Sequence, residues 1–184
     1  MTVIDRPLRR SDRKRATDRR PEWWPLSSDA DLWDQIDHRE LDALTEAFRR
    51  HGQAAYAVAL AITADPELAQ HAVTTTFGRL FADARGIALD TLRLAILAAV
   101  RRSAGQLAEG RSPSDRTGDA RLGTVLGGLA PDVRDVLALA IAGRCGSADI
   151  VAITGYDRAT VHRHMRVGLH HVGAALDRGA KGHS

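Results

Sequence analysis

Apolar residues recur at helical spacing along the chain from about residue 31 onward. Leu41, Leu44 and Phe48 lie three and four positions apart, which places them on one face of a helix. Residues 53–63 are apolar at nearly every position, a pattern typical of a buried helix. The pattern therefore predicts one helix that ends near His51-Gly52, followed by a second, buried helix.

Two further helices are predicted before residue 107. Asp65-Pro66-Glu67 has the residues of a helix start: an aspartate cap, a proline in the first turn and an acid near the positive end of the helix dipole. The apolar stripe that follows consists of Ala69, Val73, Phe77, Leu80 and Ala84. Another helix begins near Asp90 and carries Leu92, Ile96, Val100 and Ser103 on one face.

Residues 105–120 interrupt these patterns. Gly105, Gly110, Gly118 and the run Ser112-Pro113-Ser114 stand among charged residues, which favours a linker between two helical units. We therefore predict an all-α fold of two small helical domains joined by a flexible linker. Its parts are a disordered Arg-rich tail (1–28), a first helical domain (29–104), the linker (105–120), a second helical domain (121–177) and a short tail (178–184).

The second domain has the element order of a helix-turn-helix. Pro131 can open a helix, and residues 143–146 end it. A short helix over about 147–154 is followed by the turn Gly155-Tyr156-Asp157 and then by a long helix that begins at Arg158 or Ala159. The apolar residues predicted to line one face of the long helix are Val161, Met165, Leu169, Val172 and Leu176, of which the first three would face inward.

The other sides of the long helix are basic, with no acid between Arg158 and Leu176. A helix that enters the major groove of DNA needs a polar, basic outer face and an apolar inner face. The pattern therefore predicts a DNA-binding helix, with an ordinary helical hairpin and a solvated basic face as the alternative. The candidate DNA-binding residues are Arg158, Thr160, His162, Arg163 and Arg166.

The formal net charge of +3 is unevenly distributed. Residues 1–20 carry eight basic and three acidic side chains, a net charge of +5, which leaves −2 for the remainder. Contact between the body of the protein and nucleic acid must therefore be local. Near the end of the tail, Trp23 and Trp24 either belong to a solvated leader or dock on a partner or on the body itself.

Several other kinds of site are disfavoured. Cys145 is the only cysteine, which excludes an internal disulfide and favours a packed thiol, with a redox-sensitive thiol activated by the neighbouring Arg144 as the alternative. His164 and His171 lie about 10 Å apart along one helix face, too far to bind one metal ion, and we predict neither a metal nor a cofactor. The sequence has no phosphate loop, catalytic carboxylate pair, signal peptide or membrane span. We expect a cytoplasmic protein that is not an enzyme.

Four segments, in order, resemble the extracytoplasmic-function (ECF) sigma factors of RNA polymerase. In the first domain, FRRHG at 48–52 with YAVAL at 56–60 resembles the family's "LYRRHGPAVYALA", and LRLAILAAVR at 92–101 resembles "LRAWLLTIAR". In the second, GLAPDVRDVL at 128–137 resembles "LPPEQREVL". DIVAITG at 149–155, followed by TVHRHMRVGL at 160–169, resembles "EIA..LG....TV..RL.RGL".

This resemblance implies a transcription initiation factor that binds RNA polymerase core and directs it to promoter DNA. The first domain would bind the core, through the helix that carries Val73, Phe77 and Leu80, and would open the promoter element near the start site, with Arg93 and Arg101 as the DNA-contacting candidates. The second domain would read the upstream element with the helix from about residue 158. An anti-sigma factor is a further partner that the resemblance suggests.

The chain departs from the family on the helix that engages polymerase. Where the family has "AEDVVQEVFLRL", residues 69–80 read AQHAVTTTFGRL, which keeps the packing positions and lacks the acids. Ala95 replaces the tryptophan of "RAWL", an aromatic that could stack on melted bases. These departures motivate an alternative: a degenerate sigma-like module that binds DNA or a protein partner without initiating transcription.

Overall fold

The computed structural model describes residues 28–83, 91–109 and 125–181. Within these ranges the regular structure is helical, which confirms the predicted all-α fold class. The predicted tail up to residue 27, including Trp23 and Trp24, lies outside the described residues, as do most of the predicted linker and the last three residues.

The first half of the chain forms helices α1 (Asp29–Asp37), α2 (Leu41–Thr63), α3 (Pro66–Ala82) and α4 (Leu92–Ala108). The predicted start of α3 is confirmed: the Asp65 side chain accepts hydrogen bonds from the N–H groups of Glu67 (2.9 Å) and Leu68 (3.1 Å). Helix α4 continues four residues into the segment predicted as linker. Its predicted apolar face is confirmed, because Leu92, Ile96, Val100 and Ser103 are all buried.

The prediction of two helices on either side of Gly52 is wrong, because α2 passes through this glycine without a break. The buried face of α2 is made largely of small residues, among them Ala43, Ala47, Ala55, Val58 and Ala59. Leu41 and Phe48, which the apolar stripe suggested as the packing face, are 62% and 52% exposed. The alanines let neighbouring helices come close, so they rather than the larger residues mark the inner face.

The second half forms α5 (Pro131–Leu137), a π-helical turn (Ala138–Ala142), α6 (Ser147–Thr154) and α7 (Arg158–Lys181). Helix α7 packs against α5 at Gly168, where an added Cβ would lie 2.4 Å from Cδ1 of Leu137. A small cluster of Leu129, Val133 and Leu137, together with Leu126 and Val172, continues this contact.

The predicted inner face of α7 is therefore correct only in part. Val161 is fully buried and Val172 packs in the small cluster, but Leu169 and Leu176 are 51% and 67% exposed. Gly168 lies at the contact in place of Leu169, because the absence of a side chain allows α7 to approach Leu137 closely. The predicted inner face thus holds at Val161 and Val172 and fails at Leu169 and Leu176.

The main hydrophobic core runs through both halves of the chain. The same cluster contains Ile62 and Leu97 of the first half and Leu139, Ile150 and Val161 of the second. Helix α2 contacts α5 and the π-helical turn, and α4 contacts α6. None of the described helices has the length and hydrophobicity needed to cross a membrane.

Candidate nucleic-acid interface

The turn between α6 and α7 is fixed by its own residues. Gly155 ends α6 in the left-handed conformation (φ 74°), and its N–H donates to the Val151 carbonyl at 2.8 Å. This is a conformation that side chains resist, and it is the one for which the sequence suggested glycine. The structure thus has the predicted order of a short helix, a turn at residues 155–157 and a long helix that starts at Arg158.

Asp157 caps the start of α7. Its carboxylate accepts the Thr160 N–H at 2.8 Å and the Thr160 hydroxyl at 2.9 Å. The hydrogen bond from the Thr160 N–H has the larger effect and the one from the Thr160 hydroxyl the smaller, and both lower the pKa of Asp157. The carboxylate closest to the basic face therefore caps the N-terminus of α7, where its negative charge also complements the helix dipole. Sequence reasoning treated Asp157 only as a turn residue, although an aspartate before a helix is a usual capping signal.

The basic candidates on α7 lie on its outer side. Arg158, His162, Arg163 and Arg166 are exposed, whereas Val161 between them is fully buried. Thr160 is half-buried and engaged with Asp157, although its hydroxyl also lies 3.4 Å from the Arg163 guanidinium. The structure thus brings four of the five candidates to one solvent-facing surface of the helix and gives the fifth a capping contact.

Tyr156 ties the turn to α5, a contact that the sequence analysis missed. Its hydroxyl donates to the Asp132 carboxylate at 2.7 Å, and its ring packs edge-on against His164 with centroids 5.5 Å apart. Partial burial, followed by this hydrogen bond, raises the pKa of Tyr156 to about 12. The bond fixes the turn relative to α5 and thereby helps to set the position of α7. No local signal could have revealed it, since the two residues are 24 positions apart.

Arg93 and Arg101, the two candidates on α4, are directed at the second half of the chain. Arg101 forms an ion pair with Asp135 of α5 at 2.8 Å, and the two side chains are only 20% and 14% exposed. Arg93 donates to the carbonyl of Gly143 and, at 3.3 Å, to that of Arg144. In this structure both guanidinium groups are therefore engaged within the protein and are not free to contact DNA.

The three candidates for polymerase contact are core residues. Val73, Phe77 and Leu80 are 6%, 5% and 1% exposed, and Phe77 packs edge-on against Phe48 at 5.1 Å. They stabilise α3 within the first half and leave the contact with any partner to the other face of the helix. The exposed residues on that face include Gln70, His71, Thr74, Gly78 and Arg79.

Cys145 is a buried free thiol in the loop before α6. Burial raises its pKa, so the expectation that Arg144 could lower that pKa is not met. Its sulfur lies 3.6 Å from the Gly143 carbonyl oxygen, a position that fits the predicted packed thiol rather than the redox-sensitive alternative. Among residues 28–83, 91–109 and 125–181, no group of three or more metal-ligating side chains comes together.

Comparison with known proteins finds a likeness among solved structures. No protein-family model matches the sequence, and neither does any curated protein. Among solved structures, the chain is similar to CnrH, an ECF sigma factor, in the structure of its complex with the cytosolic domain of CnrY. The TM-score is 0.71 at 21% sequence identity, over 83% of this chain and 99% of CnrH. The similarity that the sequence indicated thus extends to the three-dimensional structure, and the chain has the fold of an ECF sigma factor.

Proposed function

We propose that this protein is a sigma-like transcription initiation factor of the ECF type, which binds RNA polymerase core and reads an upstream promoter element with the start of α7. The observation that carries the proposal is the exposed row of Arg158, His162, Arg163 and Arg166 on a helix whose opposite side is anchored by Val161. This is the arrangement that a recognition helix needs in the major groove.

The dimensions of the basic row suit the groove. Arg158 and Arg166 are eight residues apart, which corresponds to about 12 Å along a helix and matches the width of the major groove, also about 12 Å. Asp157, the acid closest to the row, is turned toward Thr160 by its capping bonds. The basic surface is thus local, as a body with a net charge of −2 requires if it is to bind DNA.

The fold supports the remaining parts of the proposal. Because CnrH is an ECF sigma factor and was solved with the cytosolic domain of CnrY, we propose RNA polymerase core, promoter DNA and an anti-sigma factor as partners of this chain. Such a factor acts in the cytoplasm, where polymerase and promoters are found. It requires no cofactor, since its work is binding and positioning.

Retention of core polymerase and promoter-dependent transcription test the whole proposal. Purified protein should retain core in a pull-down and should yield a discrete transcript from promoter fragments that core alone does not transcribe. If the protein neither retains core nor directs a transcript, the proposal is wrong.

A matched pair of arginine variants tests the recognition helix. Arg163→Ala should weaken binding to duplex DNA selected with the wild-type protein by about 1–3 kcal/mol and should relax sequence preference at one position. Arg178→Ala removes the same charge from an exposed site fifteen residues further along the same helix and should leave the preference unchanged. Equal effects of the two substitutions would remove Arg163 from the base-reading residues.

The face of α3 favours a second candidate function, a sigma-like module that binds DNA or protein without initiating transcription. Its positions 70, 71 and 75 hold Gln, His and Thr where the family has acids, and Gln70 and His71 are exposed. If polymerase binding is weak for this reason, Gln70→Glu should increase core retention. Gln53→Glu is the control, because Gln53 is also exposed on a helix of the first half and the substitution is the same. Tight core binding by the wild-type chain would exclude this second function.

A further inference from the structure

A chain of three polar side chains runs along the start of α7. The Thr160 hydroxyl donates to the Asp157 carboxylate at 2.9 Å, and the Arg163 guanidinium donates to the Thr160 hydroxyl oxygen at 3.4 Å. The three residues are spaced three positions apart, which brings their side chains together on one side of a helix. The chain therefore links the capping carboxylate to an arginine of the exposed basic row.

The direction of these hydrogen bonds follows from the groups themselves. The Asp157 carboxylate is ionised at neutral pH, since hydrogen bonds from the Thr160 N–H and hydroxyl lower its pKa, and it can only accept. The single hydroxyl proton of Thr160 is therefore committed to Asp157, and the hydroxyl oxygen is left to accept from Arg163. A charged acceptor strengthens the hydrogen bond that it receives and polarises the hydroxyl, so its oxygen becomes a better acceptor for the guanidinium.

The Thr160 hydroxyl is itself held in place. Both carboxylate oxygens of Asp157 are engaged with residue 160, one with its N–H at 2.8 Å and the other with its hydroxyl. Thr160 is half-buried, and its branched side chain has few rotamers. Arg163, by contrast, is exposed and has a long side chain that loses much conformational freedom when it is ordered. The hydroxyl is thus a fixed point that restricts a mobile guanidinium.

The contact with Thr160 leaves most of the guanidinium available. It uses an N–H of the Arg163 Nη2 atom, one of several N–H donors that the group carries. A bidentate contact with guanine uses two of the remaining donors. Arg163 can therefore keep its hydrogen bond to Thr160 while it contacts a base.

We propose that Thr160 is a positioning residue for DNA reading: its hydroxyl, oriented by Asp157, orients the Arg163 guanidinium before DNA binds and contacts no base itself. This inference rests on the proposed function, which makes Arg163 a base-reading residue. Thr160, which the sequence suggested as a direct DNA contact, then acts through its neighbour. Ordering a long side chain in advance lowers the entropic cost of binding, so the hydroxyl should contribute about two- to tenfold in affinity.

Thr160→Val tests the hydroxyl alone. Valine keeps the branched shape of threonine and the backbone N–H that Asp157 caps, so the start of α7 stays capped. On duplex DNA selected with the wild-type protein, this variant should bind about two- to tenfold more weakly than wild type. Thr160→Ser keeps the hydroxyl and should recover most of the affinity. Thr45→Val is the matched control, because it removes an exposed hydroxyl that donates to the Leu41 carbonyl on α2, and it should bind as wild type does.

A double-mutant cycle with Arg163→Ala separates positioning from direct contact. If Thr160 acts through Arg163, Thr160→Val should cause no further loss of affinity in a protein that already carries Arg163→Ala. On duplexes with single base-pair changes, both single variants should relax the sequence preference at the same position, whereas a structural defect would weaken binding to every duplex by a similar factor. Circular dichroism must show all variants folded. Thr160→Ala, which also lacks the hydroxyl and favours helix, replaces Thr160→Val if the valine variant does not fold.

Each outcome decides the inference. Wild-type affinity of Thr160→Val, or a Thr160→Ser variant as weak as Thr160→Val, would overturn it. An equal loss with and without Arg163 would also overturn it, because Thr160 would then contact DNA directly; in these cases the proposed function stands if Arg163→Ala relaxes the preference. If the wild-type protein selects no duplex, or Arg163→Ala leaves the preference unchanged, the base-reading role of Arg163 fails and this inference fails with it. A loss that requires Arg163 and is confined to one position supports both.

Discussion

Gly168 is the point of closest approach between α7, the proposed recognition helix, and α5, and its replacement by alanine tests how that helix is positioned. A Cβ at residue 168 would lie 2.4 Å from Cδ1 and 2.6 Å from Cγ of Leu137, and 3.1 Å from Cγ1 of Val133. Leu137 is only 2% exposed, so its side chain has little room to move away. The added methyl group must displace either Leu137 or the helix itself.

Two effects of opposite sign determine the magnitude. Alanine is favoured over glycine within a helix by about 1 kcal/mol. Overpacking a closed contact costs about 1–3 kcal/mol. We therefore expect Gly168→Ala to lower the free energy of unfolding by zero to about 2 kcal/mol, despite the better helix propensity of alanine.

Gly173→Ala is the control that isolates the packing effect. Gly173 lies on the same helix, is exposed, and has nothing within 4 Å of its Cβ position. This variant should be stabilised by about 0.5–1 kcal/mol. The two variants should differ by the packing cost alone, about 1–3 kcal/mol, which corresponds to roughly 2–12 °C in Tm for a chain of this size.

Thermal and urea denaturation, followed by far-UV circular dichroism, measure this difference. If Gly168→Ala is as stable as Gly173→Ala, α7 does not approach α5 at Gly168 as closely as described.

Two further predictions concern groups with shifted pKa values. Hydrogen bonds from Arg49, with Arg50 adding to them, lower the pKa of Glu46 from 4.5 to about 2, so the stability that this carboxylate contributes is present above about pH 4.5 and is lost as the pH falls toward 2. Glu46→Gln should lower the free energy of unfolding by about 1 kcal/mol at neutral pH, a modest value because Arg49 is half exposed. The variant should also lose less stability than wild type as the pH falls from 4.5 toward 2. The same pH dependence of unfolding in the variant and in wild type would contradict this prediction. Tyr156→Phe should also cost about 1 kcal/mol, because the hydrogen bond to Asp132 is lost. The tyrosine pKa is raised from 10.0 to about 12, so wild-type stability should decline between these pH values, and a parallel decline in the phenylalanine variant would show that another group is responsible.

The sequence by itself determined the features that depend on near neighbours. Asp65-Pro66-Glu67 predicted the start of α3, because a cap is formed by residues two and three positions away. Gly155 predicted the turn between α6 and α7, because only the backbone conformation at that residue is at issue. The order of helices α3 to α7 and the basic outer side of α7 followed from the helical period in the same way.

Only the tertiary structure decided which surfaces pack together. The alanines of α2, rather than Leu41 and Phe48, form its inner face, and Gly168 replaces Leu169 at the contact with Leu137. A prediction that places the largest apolar residues at the packing face is wrong at these positions, because closely packed helices need small residues at the point of contact. The sequence likewise predicted Arg101 as a DNA-binding residue, whereas the fold places the Asp135 carboxylate, 34 positions away, 2.8 Å from its guanidinium. Contacts of this range depend on how the helices assemble, and no local pattern encodes them.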